Sequence, residues 1–148
     1  METPSYFLKP TALERAMNKT VAVLARLGLG PAYLHLLRVE GRKTGRIYST
    51  PVNLMRLNGC HYLVGGRGHS SWSKNAESVG VVRLVRGSTV RQYRVVPVSG
   101  AKKLEVLKAY LDEYPKTVQK FFAVPAGSPP EAFRATADRH PVFELAVQ

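Results

Sequence analysis

Apolar residues recur along this chain with two different periods, and the points where the period changes divide it into three parts. In the first part Leu13, Met17, Val21 and Leu24 are spaced by four, four and three residues, which sets them on one face of a helix. Pro10-Thr11 opens that helix, Glu14 completes a capping box with Thr11, and Gly28 and Gly30 close it before Pro31, so it is expected over 11–27. The stripe suits docking on a sheet. With Lys9, Arg15, Lys19 and Arg26 in or beside it, the segment also suits an anionic membrane surface.

The second part, 33–98, changes to short runs bounded by turn residues. An apolar run covers 33–39, and runs over 51–57 and 60–64 flank Asn58-Gly59, a pair that tolerates positive φ at both turn positions. Runs over 79–85 and 90–98 flank Gly87-Ser88 as a second hairpin, so that only 70–78 interrupts a meander. Five or more strands joined by tight turns favour a small antiparallel barrel over a parallel sheet, which would need helical crossovers.

In the third part, 101–139, Leu104, Leu107, Leu111 and Tyr114 line one face of a helix ending before Pro115. Val118, Phe121 and Phe122 continue a shorter apolar segment. Ser128-Pro129-Pro130-Glu131 reads as a capping box opening a further helix to about Arg139, and 142–147 returns as a final strand. The expectation is one domain over 1–148, mainly antiparallel β with flanking helices, of the α+β class.

Composition then narrows the partners. With 148 residues, 45% of them hydrophobic, the chain can bury a substantial core. No run approaches a membrane span and the start lacks the order of a signal peptide, so the expected location is cytoplasmic or peripheral at the inner face of the cell membrane. Cys60 stands alone and His35, His61, His69 and His140 are scattered, so neither a disulfide nor a metal site is expected. The formal net charge is +12, and between positions 38 and 94 eleven Lys and Arg residues face only Glu40 and Glu77. A basic field of that size draws polyanions: nucleic acid, anionic lipid or a ligand carrying several carboxylates.

Three stretches carry candidate chemistry. Gly41-Arg42-Lys43-Thr44-Gly45-Arg46, running on through Tyr48 to Ser49-Thr50-Pro51-Val52, joins two strands with glycine-permitted N–H groups beside three fixed positive charges, the requirements of a phosphate. It is not a Walker loop, which needs four residues between Gly and Gly-Lys, and an ordinary exposed hairpin loop would share its composition. Gly65, Gly66 and Gly68 with Arg67 form a second stretch, read either as a strand exit or as a place where missing side chains admit a flat ring. Trp72 and Asn75 form the third, one helical turn apart; a lone tryptophan otherwise fills the core. No nucleophile elbow, H-E-x-x-H or paired carboxylate site is present, so no catalytic residue is assigned.

Taken in order, G-R-K-T-G, S-T-P-V, a tight hairpin, G-G-R-G and W-x-x-N resemble the deazaflavin (coenzyme F420)-dependent nitroreductase and quinone reductase family, relatives of the flavin-binding split β-barrels of flavin-reductase type. The resemblance covers about 33–98 and continues more weakly to the end. It implies an 8-hydroxy-5-deazaflavin coenzyme, with FMN as the alternative. The coenzyme's phosphate would sit on Arg42, Lys43, Thr44 and Gly45 with Arg46 as a further contact, and Tyr48 stands where relatives often carry another basic residue. Pro51, Gly65, Gly66, Trp72 and Asn75 would border the ring, and Arg67 would reach a polyglutamate tail. Donors to the substrate are open among Tyr110, Tyr114, Ser49, Asn53 and His69.

Three functions remain in view. The first is hydride transfer from the reduced deazaflavin to a small apolar acceptor, a quinone or nitro compound. A second is a non-catalytic module holding a flavin, deazaflavin, lipid or fatty acid, membrane-associated or free. Third and weakest is nucleic-acid binding, for which Arg91-Gln92-Tyr93-Arg94 is the one basic and aromatic segment. Uncapped strand edges would also permit a homodimer.

Overall fold

The computed structural model describes residues 6–147. Strand β1 (Leu34–Glu40) pairs antiparallel with β2 (Ile47–Asn53) across the loop 41–46, and β3 (Met55–Leu57) pairs with β4 (Cys60–Val64) across Asn58-Gly59. Asn58 and Gly59 adopt φ of 50° and 79°, the left-handed pair that lets a two-residue turn follow strand twist. A third hairpin joins β5 (Val81–Arg86) to β6 (Thr89–Pro97), and β7 (Val142–Val147) lies between β6 and β4. Val79, expected to open β5, is instead the last residue of helix α2 (Ser71–Val79), which Gly80 ends at φ 83°.

Strand order is β2-β1-β5-β6-β7-β4-β3, which corrects the expected meander. Hairpin signals are local, whereas β1 joins β5, and β4 joins β7, because those pairings bury the apolar faces of strands distant in sequence. The two outer strands, β2 and β3, are separated in the chain by Leu54 alone. A flat seven-stranded sheet cannot satisfy that connection, so the sheet curls until its edges approach. The protein is therefore an antiparallel split barrel with flanking helices.

Inside the barrel Leu37, Val39, Leu63, Val82, Leu84, Tyr93, Val95 and Phe143 pack with Val52, Leu54 and Trp72. On the outside α3 (Gly100–Glu113) and the segment after it cover Met55, Tyr62 and Val64 with Leu104, Leu107, Leu111, Phe122 and Phe133. Since each large apolar side chain withdrawn from water contributes about 1.5–3 kcal/mol, these two clusters account for most of the driving force.

Helix α1 (Ala12–Arg26) forms with the expected capping box: the Glu14 N–H donates to Thr11 Oγ1, and the Thr11 N–H to Glu14 Oε1, each at 3.1 Å. Its docking face differs from the expected stripe. Val21, Ala22 and Ala25 pack on Leu34, Leu36 and Val85, while Leu13 and Met17 remain 72% and 58% exposed. Small residues let the helix approach the sheet closely, and the larger ones are turned away. The expected capping box at Ser128 is also absent. Its hydroxyl donates to the Pro125 carbonyl at 2.6 Å, and Pro130–Arg139 forms a 3-10 helix without a side-chain cap. With the Ser128 hydroxyl turned back on Pro125, the helix starts later, behind Pro129, which has no side-chain acceptor to offer its first N–H groups.

Candidate functional site

A groove of about 490 Å3 opens between α1, the end of β2, the turn after β4 and the C-terminal helical segment. Its floor is Val64, Gly65 and Gly66; Pro51, Asn53 and Trp72 form one wall, and Tyr110, Val118 and Phe121 the other. The groove thus joins backbone, aromatic rings and a few polar groups, the usual make-up of a cofactor site.

The floor is held from beneath. Buried His140 stacks on Phe122 with ring centroids 4.3 Å apart and donates from Nδ1 to the Gly66 carbonyl at 3.0 Å. Burial, with Lys103 and Arg139 nearby, pushes its imidazole down to about 4 against the favourable Gly65 and Gly66 carbonyls, so it is neutral at pH 7. The Gly65 N–H donates to the Pro141 carbonyl at 2.8 Å, and a Cβ at Gly65 would stand 2.6 Å from the Pro141 ring. At Gly68, φ is 110° and a Cβ would overlap the Tyr6 carbonyl. Two of the three glycines are therefore required by the protein's own packing rather than by a ring in the groove. Gly66 is less constrained: a Cβ there would make ordinary contacts with Phe121 at 3.4 Å and Tyr110 at 3.7 Å.

Arg67 leaves the turn toward α1. It forms an ion pair with Glu14 and lies over the Phe121 ring, 4.6 Å from its centroid. Glu14 also accepts from Lys120 Nζ at 3.1 Å. Arg67, then the Thr11 N–H, then Lys120 hold the Glu14 carboxyl down at about 2. One carboxylate thereby ties α1 to the turn that carries the floor and to the C-terminal wall of the groove, and Arg67 is engaged within the protein.

The loop 41–46 is built on short contacts of its own. The Gly41 N–H donates to Arg46 O at 2.7 Å and the Gly45 N–H to Gly41 O at 2.9 Å, with Gly45 at φ 73°. Tyr48 lies over Gly41, where a Cβ would meet its ring at 2.7 Å. Arg42, Lys43, Thr44 and Arg46 are exposed, and no ion pair to a described residue neutralises the three cations. The loop does not line the groove. It is tied beside it by Asn75, which is buried and accepts two hydrogen bonds from Arg42 through Oδ1.

Trp72 and Asn75 thus divide their work. The indole lines the groove and packs edge-on against Phe143 at 6.1 Å, while Asn75, one turn further along α2, faces the loop. Of the five donors left open by the sequence, only Asn53 and Tyr110 line the groove. Tyr114 lines a different cavity, Ser49 is exposed on β2, and His69 donates from Nε2 to the Asp138 carbonyl at 2.7 Å. Burial pushes the Tyr110 hydroxyl up to about 12. Glu14, Met17, Asn18 and Lys120 also border the groove, and the sequence carries no local sign of it, because they meet the floor only through tertiary packing. In the basic segment Arg91–Arg94, Tyr93 turns inward to the barrel and does not stand on the outer face with Gln92 and Arg94.

A curled antiparallel sheet with a groove of this kind beside a basic hairpin loop defines a split-barrel protein of the flavin-reductase type. Residues 11–122 match the family described as F420H(2)-dependent quinone reductase, and the chain belongs to that family; it is an F420-dependent oxidoreductase. Among solved structures it is similar to an F420-H2 dependent reductase (FDR-A), at 21% identity over 76% of this chain and 93% of that one, TM-score 0.52. It is also similar to a protein solved as a domain-swapped dimer, at 18% identity over 91% and 99%, TM-score 0.55. HutZ, the heme storage protein from Vibrio cholerae, is similar at 10% identity over 93% and 92%, TM-score 0.55. At these identities the likenesses bear on the fold alone. No curated protein sequence matches the chain.

Proposed function

We propose that the chain binds reduced coenzyme F420 with its ring in the groove and its phosphate on the loop 41–46, and reduces a quinone-like acceptor stacked against the ring. The observation that carries this reading is the Arg42–Asn75 junction, which places a loop of unpaired cations beside an aromatic-lined groove. Arg42 and Lys43 offer charge-assisted hydrogen bonds, the Lys43 and Thr44 N–H groups remain for the phosphate once those of Gly41, Arg42, Gly45 and Arg46 are bonded within the protein, and Trp72 and Pro51 offer faces for a flat ring. Bound there, the reduced deazaflavin supplies the hydride.

The chain's own residues bind, orient and exclude water. Tyr110 stays protonated and offers a hydrogen bond to an acceptor carbonyl, and Asn53 offers a second contact from the opposite wall. Met17 and Phe121 close the groove toward α1 and leave room for an apolar acceptor. Because Arg67 is paired with Glu14, contact with a polyglutamate tail falls first to exposed Lys43, Arg46 and Lys74. FMN has a phosphate but no such tail, which favours the deazaflavin.

The same reading places the protein against an anionic membrane. Leu13, Met17 and Leu24 on α1, with Leu27 just past its end, stand exposed beside Arg15, Lys19 and Arg26, as on helices that lie in a lipid interface, where quinones dissolve. Among the described residues no helix is long and apolar enough to cross a membrane.

Titration with F420, followed by Trp72 fluorescence and with FMN in parallel, tests the binding. Replacing Arg42 and Lys43 together by Ala should remove roughly 1.5–3 kcal/mol of coenzyme binding per residue and leave the fold intact. Mixing the loaded protein with menadione then tests turnover. Unchanged F420 affinity in the double variant, or tighter binding of FMN, would refute the assignment.

A further inference from the structure

Strand β1 points His35, Leu37 and Val39 into the barrel, and the same alternation on the other strands produces a pattern at the open end that holds His35, beyond the Leu34–Asn53 edge of the groove. The inward column of β4 passes from Leu63 to His61, that of β5 from Leu84 to Arg86, and that of β6 from Tyr93 to Arg91. Arg56 on β3 completes the set. Five strands therefore carry basic residues at or next to the ends of their inward columns, Thr89 lying beyond Arg91 on β6, and these line an open cavity of about 900 Å3 with Leu54, Leu84 and Tyr93 at its base. It shares no lining residue with the groove of the proposed function.

Gathering cations at a barrel mouth is unfavourable unless something offsets their repulsion. Arg86 has a structural task, donating to the carbonyls of Leu34 at 2.8 Å and Gly30 at 3.0 Å. Arg56 has a weaker one, its Nε donating to His61 Nε2 at 3.1 Å, which requires that nitrogen of His61 to be unprotonated. The Arg91 guanidinium, by contrast, has no hydrogen bond or ion pair among the described residues. Against these charges the lining offers one carboxylate, Glu113. Partial burial, then Arg56, His35 and Arg91, push the His61 imidazole below its ordinary range.

We infer that this mouth is a second ligand site, taking an amphipathic oxyanion whose phosphate or carboxylate head meets Arg56, Arg91 and His61 while its apolar body rests on Leu54, Leu84 and Tyr93. The inference does not depend on the coenzyme reading. Uncharged lipids fail to offset the cations, and inorganic phosphate leaves the apolar base uncovered. Nucleic acid is disfavoured because the one aromatic ring at the centre of the basic segment, Tyr93, is packed in the core.

Calorimetric titration of the whole protein with n-octyl phosphate, n-octanoate, inorganic phosphate and octyl glucoside tests the site. Octyl phosphate should bind at one per chain, at least tenfold tighter than inorganic phosphate, with octanoate also bound and octyl glucoside not. Arg91→Gln should weaken octyl phosphate about tenfold and Arg56→Gln/Arg91→Gln further, as expected for lost charge-assisted contacts. Both residues are exposed, so the thermal midpoint should stay within a few degrees and separate lost binding from lost folding. His61 ring resonances should titrate at higher pH when the head group is bound. Octyl phosphate affinity unchanged in the double variant, or displacement of octyl phosphate by F420, would overturn the proposal.

Discussion

The backbone N–H and the Nη1 of Arg42 both donate to Oδ1 of Asn75, at 3.1 and 2.6 Å, across 33 residues of sequence. That single oxygen fixes the basic loop to the helix carrying Trp72, so the loop and the groove form one unit. Asn75→Ala should leave the Arg42 N–H without its partner and lower stability by about 1–3 kcal/mol. Asn75→Asp keeps the acceptor and should hold the thermal midpoint, but its negative charge beside Arg42 should weaken F420 by about tenfold. A melt and a coenzyme titration on the two variants separate positioning from charge; equal F420 affinity in the Asn75→Asp variant and the wild type would count against the phosphate assignment.

Tyr110 is the hydroxyl that both groove geometry and protonation favour as the partner of the acceptor. Tyr110→Phe should leave F420 affinity unchanged and slow single-turnover oxidation by menadione by on the order of a hundredfold. With its hydroxyl held near 12, the wild-type rate should show no inflection from Tyr110 across the neutral range. A Phe variant as fast as wild type removes Tyr110 from the reaction.

Acid should loosen α1 from the groove. The Glu14 carboxyl sits at about 2 in place of 4.5, so the stability from its pairing with Arg67 and Lys120 is complete above about pH 4.5 and is lost as pH falls toward 2. Glu14→Gln should therefore melt below wild type at neutral pH, with the gap narrowing through that window. A gap that is constant from pH 7 to pH 2 would show the pair contributes nothing.

His140 acts in an adjoining window by a different cause. Its imidazole is held near 4 against an ordinary 6.5, so the unfolded chain takes up the proton first and stability falls as pH drops from 6.5 to 4. Each pH unit is about 1.4 kcal/mol, which bounds the loss at about 3 kcal/mol. His140→Phe keeps the stack on Phe122 and should flatten the curve over that interval. Chemical denaturation at several pH values measures it, and an unflattened curve would assign the loss to other groups.

Much of this molecule is legible in local sequence. Asn58-Gly59 and Gly87-Ser88 mark hairpins because two-residue turns demand positive φ, and Thr11 with Glu14 marks a helix start because free N–H groups demand acceptors. The basic loop and the W-x-x-N helix are equally visible, and with them the family. Where the sequence misleads, the deciding contact is distant. The meander fails because β1 buries its inner face better beside β5, and the large apolar residues of α1 stay outside because Val21, Ala22 and Ala25 pack closer. Gly65 and Gly68 suggest a ligand approaching, yet Pro141 and Tyr6 occupy those spaces. Local chemistry determined the turns, the caps and the types of residue available for binding. Only the closing of the sheet decided that Asn75 meets Arg42, that Glu14 meets Arg67, and that five separate strand ends gather their basic residues around one mouth, since each depends on a register set by side chains far apart in the chain.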